Sequence, residues 1–200
     1  MITFLRVRAC LVFIFLLSCP VFAQQTTLFD IEVAKIKVGS LVTEKVVKDS
    51  MTIYIFRSEV DAGFIMRVKV SHTISCVYIK NKLVRADIHS VINQDKYISS
   101  VAWNKDHYDY DCSTYKYHKT GVLTGDIDFS VVKMYFEEPL VTGAIFAENY
   151  GILCPLLCSK PSTYHLDVDK NSNTFHYANG LIQRVEMETP LFNYVIRRKT

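Results

Sequence analysis

Residues 64–78 alternate. The even positions read Phe64, Met66, Val68, Val70, His72, Ile74, Cys76 and Tyr78, while Arg67, Lys69, Ser71, Thr73 and Ser75 fall between them. An apolar face backed by a wet one is the mark of an antiparallel strand with one solvated side. At ~3.3 Å per residue, fifteen residues would run about 50 Å. A strand of that length must bend or coil, as in a barrel or a strongly curved sheet. The pattern sends Val68, Val70 and Ile74 inward and Lys69, Ser71 and Thr73 to water, so Val70→Asp is expected to be severe and Ser71→Asp mild.

The period of two recurs along the chain. Asn81-Lys82 reads as a hairpin turn, followed by Val84, Ala86 and Ile88 alternating with Arg85, Asp87 and His89. Asn93-Gln94-Asp95 is a second turn, and 97–103 a third strand. Runs 29–38 and 51–60 are β-rich, with turn signals at Gly39 and at Asp61-Ala62-Gly63. Segment 108–117 is extended. Tyr164, Leu166 and Val168 share a face, and Asp169-Lys170-Asn171-Ser172-Asn173 turns the chain. Asn179-Gly180 is the strongest short hairpin signal. Strands over 181–188 and 191–197 follow. Around 144–150, ending at Gly151, the composition fits a short helix or helical turn. The expectation is an all-β fold: a single-domain antiparallel meander of about ten strands, forming a barrel or strongly curved half-barrel, with at most a short helix.

The first 23 residues stand apart. Arg6 and Arg8 precede the apolar run Cys10-Leu11-Val12-Phe13-Ile14-Phe15-Leu16-Leu17, and Val21-Phe22-Ala23 offers a small-residue exit. This is the layout of a secretory signal peptide, so 1–23 is assigned to the signal and 24–200 to one β-rich domain. The expected location is the periplasm or the exterior. Leu16-Leu17-Ser18-Cys19 also resembles a lipoprotein box, which would anchor the chain through Cys19. Pro20 and the better site at Ala23 argue against that. No later stretch approaches the about 20 apolar residues that a spanning helix needs, so the mature chain is not expected to span a membrane.

Without Arg6 and Arg8 the chain carries 21 basic against 20 acidic residues. That balance creates no field for nucleic acid. Cys76, Cys112, Cys154 and Cys158 follow the signal. Export allows disulfides, and four cysteines permit three pairings. Cys154 and Cys158 lie about 13 Å apart in a straight strand and meet only if the chain turns.

The residues that invite chemistry form no convincing set. His72 sits on the apolar face of its strand, where a partnered core histidine is the plain explanation. His107 and His118 flank a Tyr- and Asp-rich stretch that could form a wet rim. His165 and His176 would face each other, with Asp167 nearby, if the hairpin turned about Lys170-Asn171; a one-residue slip removes the pair. Asp169-x-Asn171-x-Asn173 starts like a calcium loop, but Thr174 and Gly180 stand where Gly and Glu are required. Adjacent Glu137 and Glu138 would point to opposite faces of an extended strand ended by Pro139. No catalytic residue, metal site or cofactor is assigned, and the ligand-binding residues stay unknown. The 12 Tyr and 12 Phe fit either core or an apolar pocket.

The pattern resembles an uncharacterised secreted domain-of-unknown-function family of Gram-negative bacteria, family number 6134. The resemblance rests on Phe29-Asp30-Ile31 through Ile36-Lys37-Val38-Gly39, on Phe129-Ser130-Val131-Val132-Lys133-Met134-Tyr135-Phe136-Glu137-Glu138-Pro139, on Phe146-Ala147-Glu148, and on Phe175-His176-Tyr177-Ala178-Asn179-Gly180. Such domains look similar to the half-barrels of periplasmic lipid and lipoprotein carriers, which implies fold alone. The expected function is non-enzymatic, in the cell envelope, with a lipid-like or other apolar ligand; the alternative is a structural or assembly factor that binds an envelope protein partner.

Export predicts a mature chain that starts at Gln24. N-terminal sequencing of protein from the cell envelope checks this, and a lipid-modified start at Cys19 would refute it.

Overall fold

The computed structural model describes residues 23–62, 68–140, 143–189 and 193–199. Residues 1–22 of the expected signal segment, residues 64–67 of the 64–78 run, and residues 191–192 therefore lie outside the described residues. The described strands are β1 (Ala23–Val33), β2 (Ile36–Lys48), β3 (Met51–Asp61), β4 (Lys69–Ile79), β5 (Lys82–Ile92), β6 (Asp95–Asn104), β7 (His107–Ser113), β8 (His118–Thr124), β9 (Ala144–Ala147), β10 (Ile152–Lys160), β11 (Thr163–Val168), β12 (Asn171–Ala178), β13 (Leu181–Glu188) and β14 (Asn193–Arg198). A single 3₁₀ turn at Lys133–Tyr135 interrupts them. No described helix is long and apolar enough to cross a membrane.

All fourteen strands form one antiparallel sheet, ordered β8-β7-β6-β5-β4-β3-β2-β1-β14-β13-β12-β11-β10-β9. Each strand pairs with its chain neighbour except at the centre, where β1 meets β14 through Phe29↔Arg198 and Ile31↔Ile196. The sheet is not closed. It is a strongly curved meander with its apolar side chains on the concave face. Register shows this as continuous rows: Phe56 lies opposite Ile74, and Ile74 opposite Ile88. Leu41, Ile88, Val185 and Leu166 carry the same face to full burial.

Tight hairpins set the register. Ala34-Lys35, Lys80-Asn81, Asp169-Lys170 and Asn179-Gly180 each have positive φ at both central positions, the geometry whose twist matches paired strands. Only the last carries the Asn-Gly signature. Three sequence expectations shift as a result. The run 29–38 is two strands joined at Ala34-Lys35, not one strand ended at Gly39. Gly39 lies inside β2, where a Cβ would come 2.3 Å from the Glu59 carbonyl oxygen; the close approach of β3 demands glycine there, not a turn. The turn before β5 is Lys80-Asn81, one residue earlier than expected. The strand count rises from about ten to fourteen among the described residues, because hairpins such as Ala34-Lys35 and Pro161-Ser162 went unseen.

Two further readings change. Residues 144–147 form β9 rather than a helix, and only the helical turn at 148–151 remains. Gly151 closes it at φ +63°, its N–H donating to the Ala147 carbonyl at 3.0 Å. Glu137 and Glu138 are not on a strand; they follow the 3₁₀ turn. Cys154 and Cys158 both sit on the extended β10, and all four described cysteines are free thiols.

β4 behaves as its alternation demands where it is described. Ile74, Cys76 and Tyr78 are buried and Lys69 and Ser71 exposed, but Val70, near the strand end, is only half-buried. Ile74 is therefore the sharper probe of the face. Ile74→Asp should cost about 3 kcal/mol or more, whereas Ser71→Asp should stay within about 0.5 kcal/mol. Thermal melts compare them, and equal melting temperatures would mean the strand is turned over.

Candidate functional site

A sheet curved through fourteen strands leaves an apolar trough that no second layer covers among the described residues. Segment 127–139, between β8 and β9, fills it. The segment enters at the β4–β5 end of the sheet, where the Leu83 N–H donates to the Ile127 carbonyl at 2.8 Å. It then borders the free edge of β9 with a parallel bridge between Ser130 and Phe146, and drops its 3₁₀ turn onto the trough floor.

Aromatic rings make that contact. Tyr135 packs edge-on against Phe29, Phe56 and Phe175, with ring centroids 5.8, 5.1 and 6.3 Å away. Phe136 meets Tyr54 at 5.0 Å, and Tyr54 packs on Tyr78 at 5.4 Å. Met134 is fully buried. The plug thus touches β1, β3 and β12, which lie on both halves of the sheet.

Polar anchors fix it. Lys45 Nζ donates to Glu137 Oε1 at 2.7 Å, and Tyr54 Oη donates to the same oxygen at 2.6 Å. From the other half, Tyr164 Oη donates to Glu138 Oε1 at 3.1 Å and Tyr177 Oη to the Met134 carbonyl at 2.8 Å. The two glutamates therefore work as clamps to opposite halves of the sheet. Burial pushes the Glu137 carboxyl up, but its bonds from Lys45 and Tyr54 and the charge of Lys133 outweigh that and hold it below the ordinary value.

Beneath the plug lies a buried polar seat. Glu148, 2% exposed, accepts from the Val132 N–H at 2.9 Å and from the Cys76 thiol at 3.6 Å. Burial pushes its carboxyl up, only partly offset by its hydrogen-bond donors. Ser130 Oγ and Tyr78 Oη lie beside the same carboxylate. The Cys76 thiol is pushed well up by burial and by the Glu148 charge. A thiol held protonated is a poor nucleophile. Lys133, 3% exposed, reaches the Asn81 side chain and the Asp128 carbonyl and lies over the Phe129 ring at 4.8 Å. Burial lowers its pKa despite the neighbouring Glu137.

The histidines do not converge. His72 shares a 2.6 Å hydrogen bond with Ser90 Oγ and meets the Phe56 ring edge-on at 6.0 Å, the partnered core histidine that the sequence suggested. His107 lies 2.6 Å from Asp106, and His118 2.6 Å from Asp111, on the exposed rim. With the turn at Asp169-Lys170, His165 stands opposite Thr174 and His176 opposite Thr163, so the two do not face each other. His165 contacts Asp167 at 3.2 Å and His176 contacts Glu186 at 3.0 Å. The described residues contain no group of three His, Cys, Asp or Glu able to hold a metal ion.

A second depression is an open groove of about 570 Å³ at the opposite end of the sheet, lined in part by Ser40, Glu59, Ser71, Lys69 and Lys199. Its charges are spent locally: Lys69 pairs with Asp61 at 2.8 Å, and Lys199 with Asp30 at 3.1 Å. The plugged trough is the better candidate.

Fold and site define a class: a single curved antiparallel sheet whose concave face is filled by one irregular segment. The family model described as Domain of unknown function (DUF6134) matches residues 29–199, and the chain belongs to that family. No curated protein and no solved structure matches it. The stretches 129–139 and 146–148, which carried the resemblance in sequence, are the plug, the β9 edge it borders and the carboxylate that seats it. Sequence reasoning missed that role because it placed Glu137 and Glu138 on an extended strand ended by Pro139.

His72 gives the trough a pH signature. Burial holds its pKa at about 4 against an ordinary 6.5. The unfolded chain therefore takes up this proton first, and the stability tied to neutral His72 is lost as pH falls from 6.5 toward about 4. Glu137 acts in the same sense at lower pH and Glu148 in the opposite one. Urea unfolding over this range should show a slope that His72→Gln flattens; an unchanged slope would exclude His72 as its source.

Proposed function

We propose that this protein is a non-enzymatic, exported protein of the cell envelope that binds a lipid-like or other apolar ligand on the concave face of its sheet. One observation carries the reading. The trough floor is aromatic and aliphatic, and what covers it among the described residues is a single segment presenting Met134, Tyr135 and Phe136, not a second sheet or helix layer. The segment occupies the trough as an apolar guest would. The titratable groups around it support binding over chemistry: the Cys76 thiol is held protonated and His72 neutral.

A second reading, a structural or assembly factor for a protein partner, draws on the outer face of β10. Leu153 and Leu157 project there from one side of the strand, 47% and 60% exposed. An apolar partner surface would cover such a patch.

Native mass spectrometry of protein purified from the envelope, with titration by a fluorescent fatty acid, separates the two. Co-purified lipid and saturable micromolar binding are expected. Neither signal, in a protein with a normal melting transition, would reject the ligand reading and favour the partner.

A further inference from the structure

We propose that segment 132–139 is a displaceable plug, hinged where 129–131 is bonded to β9 and latched by Glu137 and Glu138, and that its release uncovers a site for one extended apolar chain along the trough floor. The proposal rests on the ligand reading for what enters the trough, but not for the release of the plug.

The first argument is how the plug is attached. Among the described residues, the backbone-to-backbone hydrogen bonds of 132–139 stay within the segment or reach back to Ser130. Met134 N–H donates to Ser130, Tyr135 to Val132, Phe136 and Glu137 to Lys133. None joins the ladder of the sheet. The hold on the sheet comes from side chains: Lys45, Tyr54, Tyr164 and Tyr177 on the far part, Asn81 and Glu148 on the near part. Lifting 132–139 therefore breaks ring contacts, side-chain bonds and the Val132 N–H bond to Glu148, while the backbone bonds that hold 129–131 to Phe146 and every strand pairing survive.

The second argument is the chemistry of the interface. An ordinary core buries Leu, Val and Phe. Here the plug and its seat bury Lys133, 3.7 Å from Glu137, and the Glu148 carboxyl, whose donors are the Val132 N–H and the Cys76 thiol. Buried ionisable groups weigh against the closed state. Release rehydrates them, which offsets part of the apolar burial that is lost. Regions that open below the global unfolding free energy are drawn from such places.

The third argument concerns the latch. The Lys45 and Glu137 side chains keep 24% and 37% of their surface exposed, so water can compete for the clamp first. Behind it lie Phe29, Phe56 and Phe175, contributed by strands on both sides of the β1–β14 joint. That continuous floor suits a chain lying across the strands rather than a compact polar solute.

Native-state hydrogen exchange on the whole protein tests the release directly. The amides of Met134, Tyr135, Phe136 and Glu137 should exchange at least about tenfold faster than buried amides of β2 and β3. Glu137→Gln and Tyr54→Phe should each accelerate the plug further and leave β2 and β3 unchanged. Exchange of plug and strands as one cooperative unit, in the wild type as in both variants, would overturn the proposal. The fluorescent fatty acid then tests the vacated site: Glu137→Gln should bind it several-fold more tightly than wild type. A plug that opens without any fatty-acid binding would remove the apolar-chain site, and with it the ligand reading, while leaving plug release established.

Discussion

The structure depends on covering the concave face. A sheet that curves through fourteen strands concentrates its apolar side chains on one side, and burying that side is the main driving force for the fold. A sandwich would cover it with a second sheet and an α/β protein with helices. This chain uses thirteen residues, 127–139. Tyr135 answers three Phe rings at once, and the paired glutamates after it secure the segment to both halves. Without the plug, the rings of Phe29, Tyr54, Phe56 and Phe175 would line an open apolar surface of the kind that soluble proteins rarely leave exposed.

That arrangement explains why ionisable residues sit so deep. Lys133 is carried into the interior by the 3₁₀ turn that delivers Met134 and Tyr135, and it finds the Asn81 side chain and the Asp128 carbonyl there. Glu148 terminates β9 and turns back to accept the Val132 N–H. Both are consequences of filling a trough with irregular backbone, whose polar groups need partners that a strand would find in its neighbours.

Much of this was legible in the sequence and some was not, for identifiable reasons. Alternation is a strong signal where one face is solvated, so β3, β4, β5, β6, β11 and β13 could be read nearly to their ends. The hairpins at Ala34-Lys35 and Lys80-Asn81 place alanine and lysine in left-handed backbone, which residue propensities disfavour, and the run before Gly39 was consequently read as one strand. β9 is four residues long and borrows its stability from the segment beside it, too little for periodicity to register. The plug was missed because Glu137 and Glu138, ahead of Pro139, were read as the end of a strand. What turns them away from one is tertiary: a trough wide enough to accept Tyr135 and Phe136. The clamp of Glu137 and Glu138 follows from that turn and had no local signature.

The pairing of β1 with β14 has a kinetic consequence. Every other strand pairs with its neighbour in the chain, so β1–β8 and β9–β14 can each assemble as a local meander once translated. Phe29↔Arg198 joins residues about 170 positions apart, a closure whose entropic cost grows only slowly with loop length but which must be met before the joint rewards it. Until then the outer edges of β1 and β14 are both unpaired and ready to template other chains. The seam at the middle of the finished sheet is thus the step at which folding competes with aggregation, and a variant that weakens Ile31↔Ile196 should betray itself in folding yield before it does in the melting temperature of the protein that succeeds.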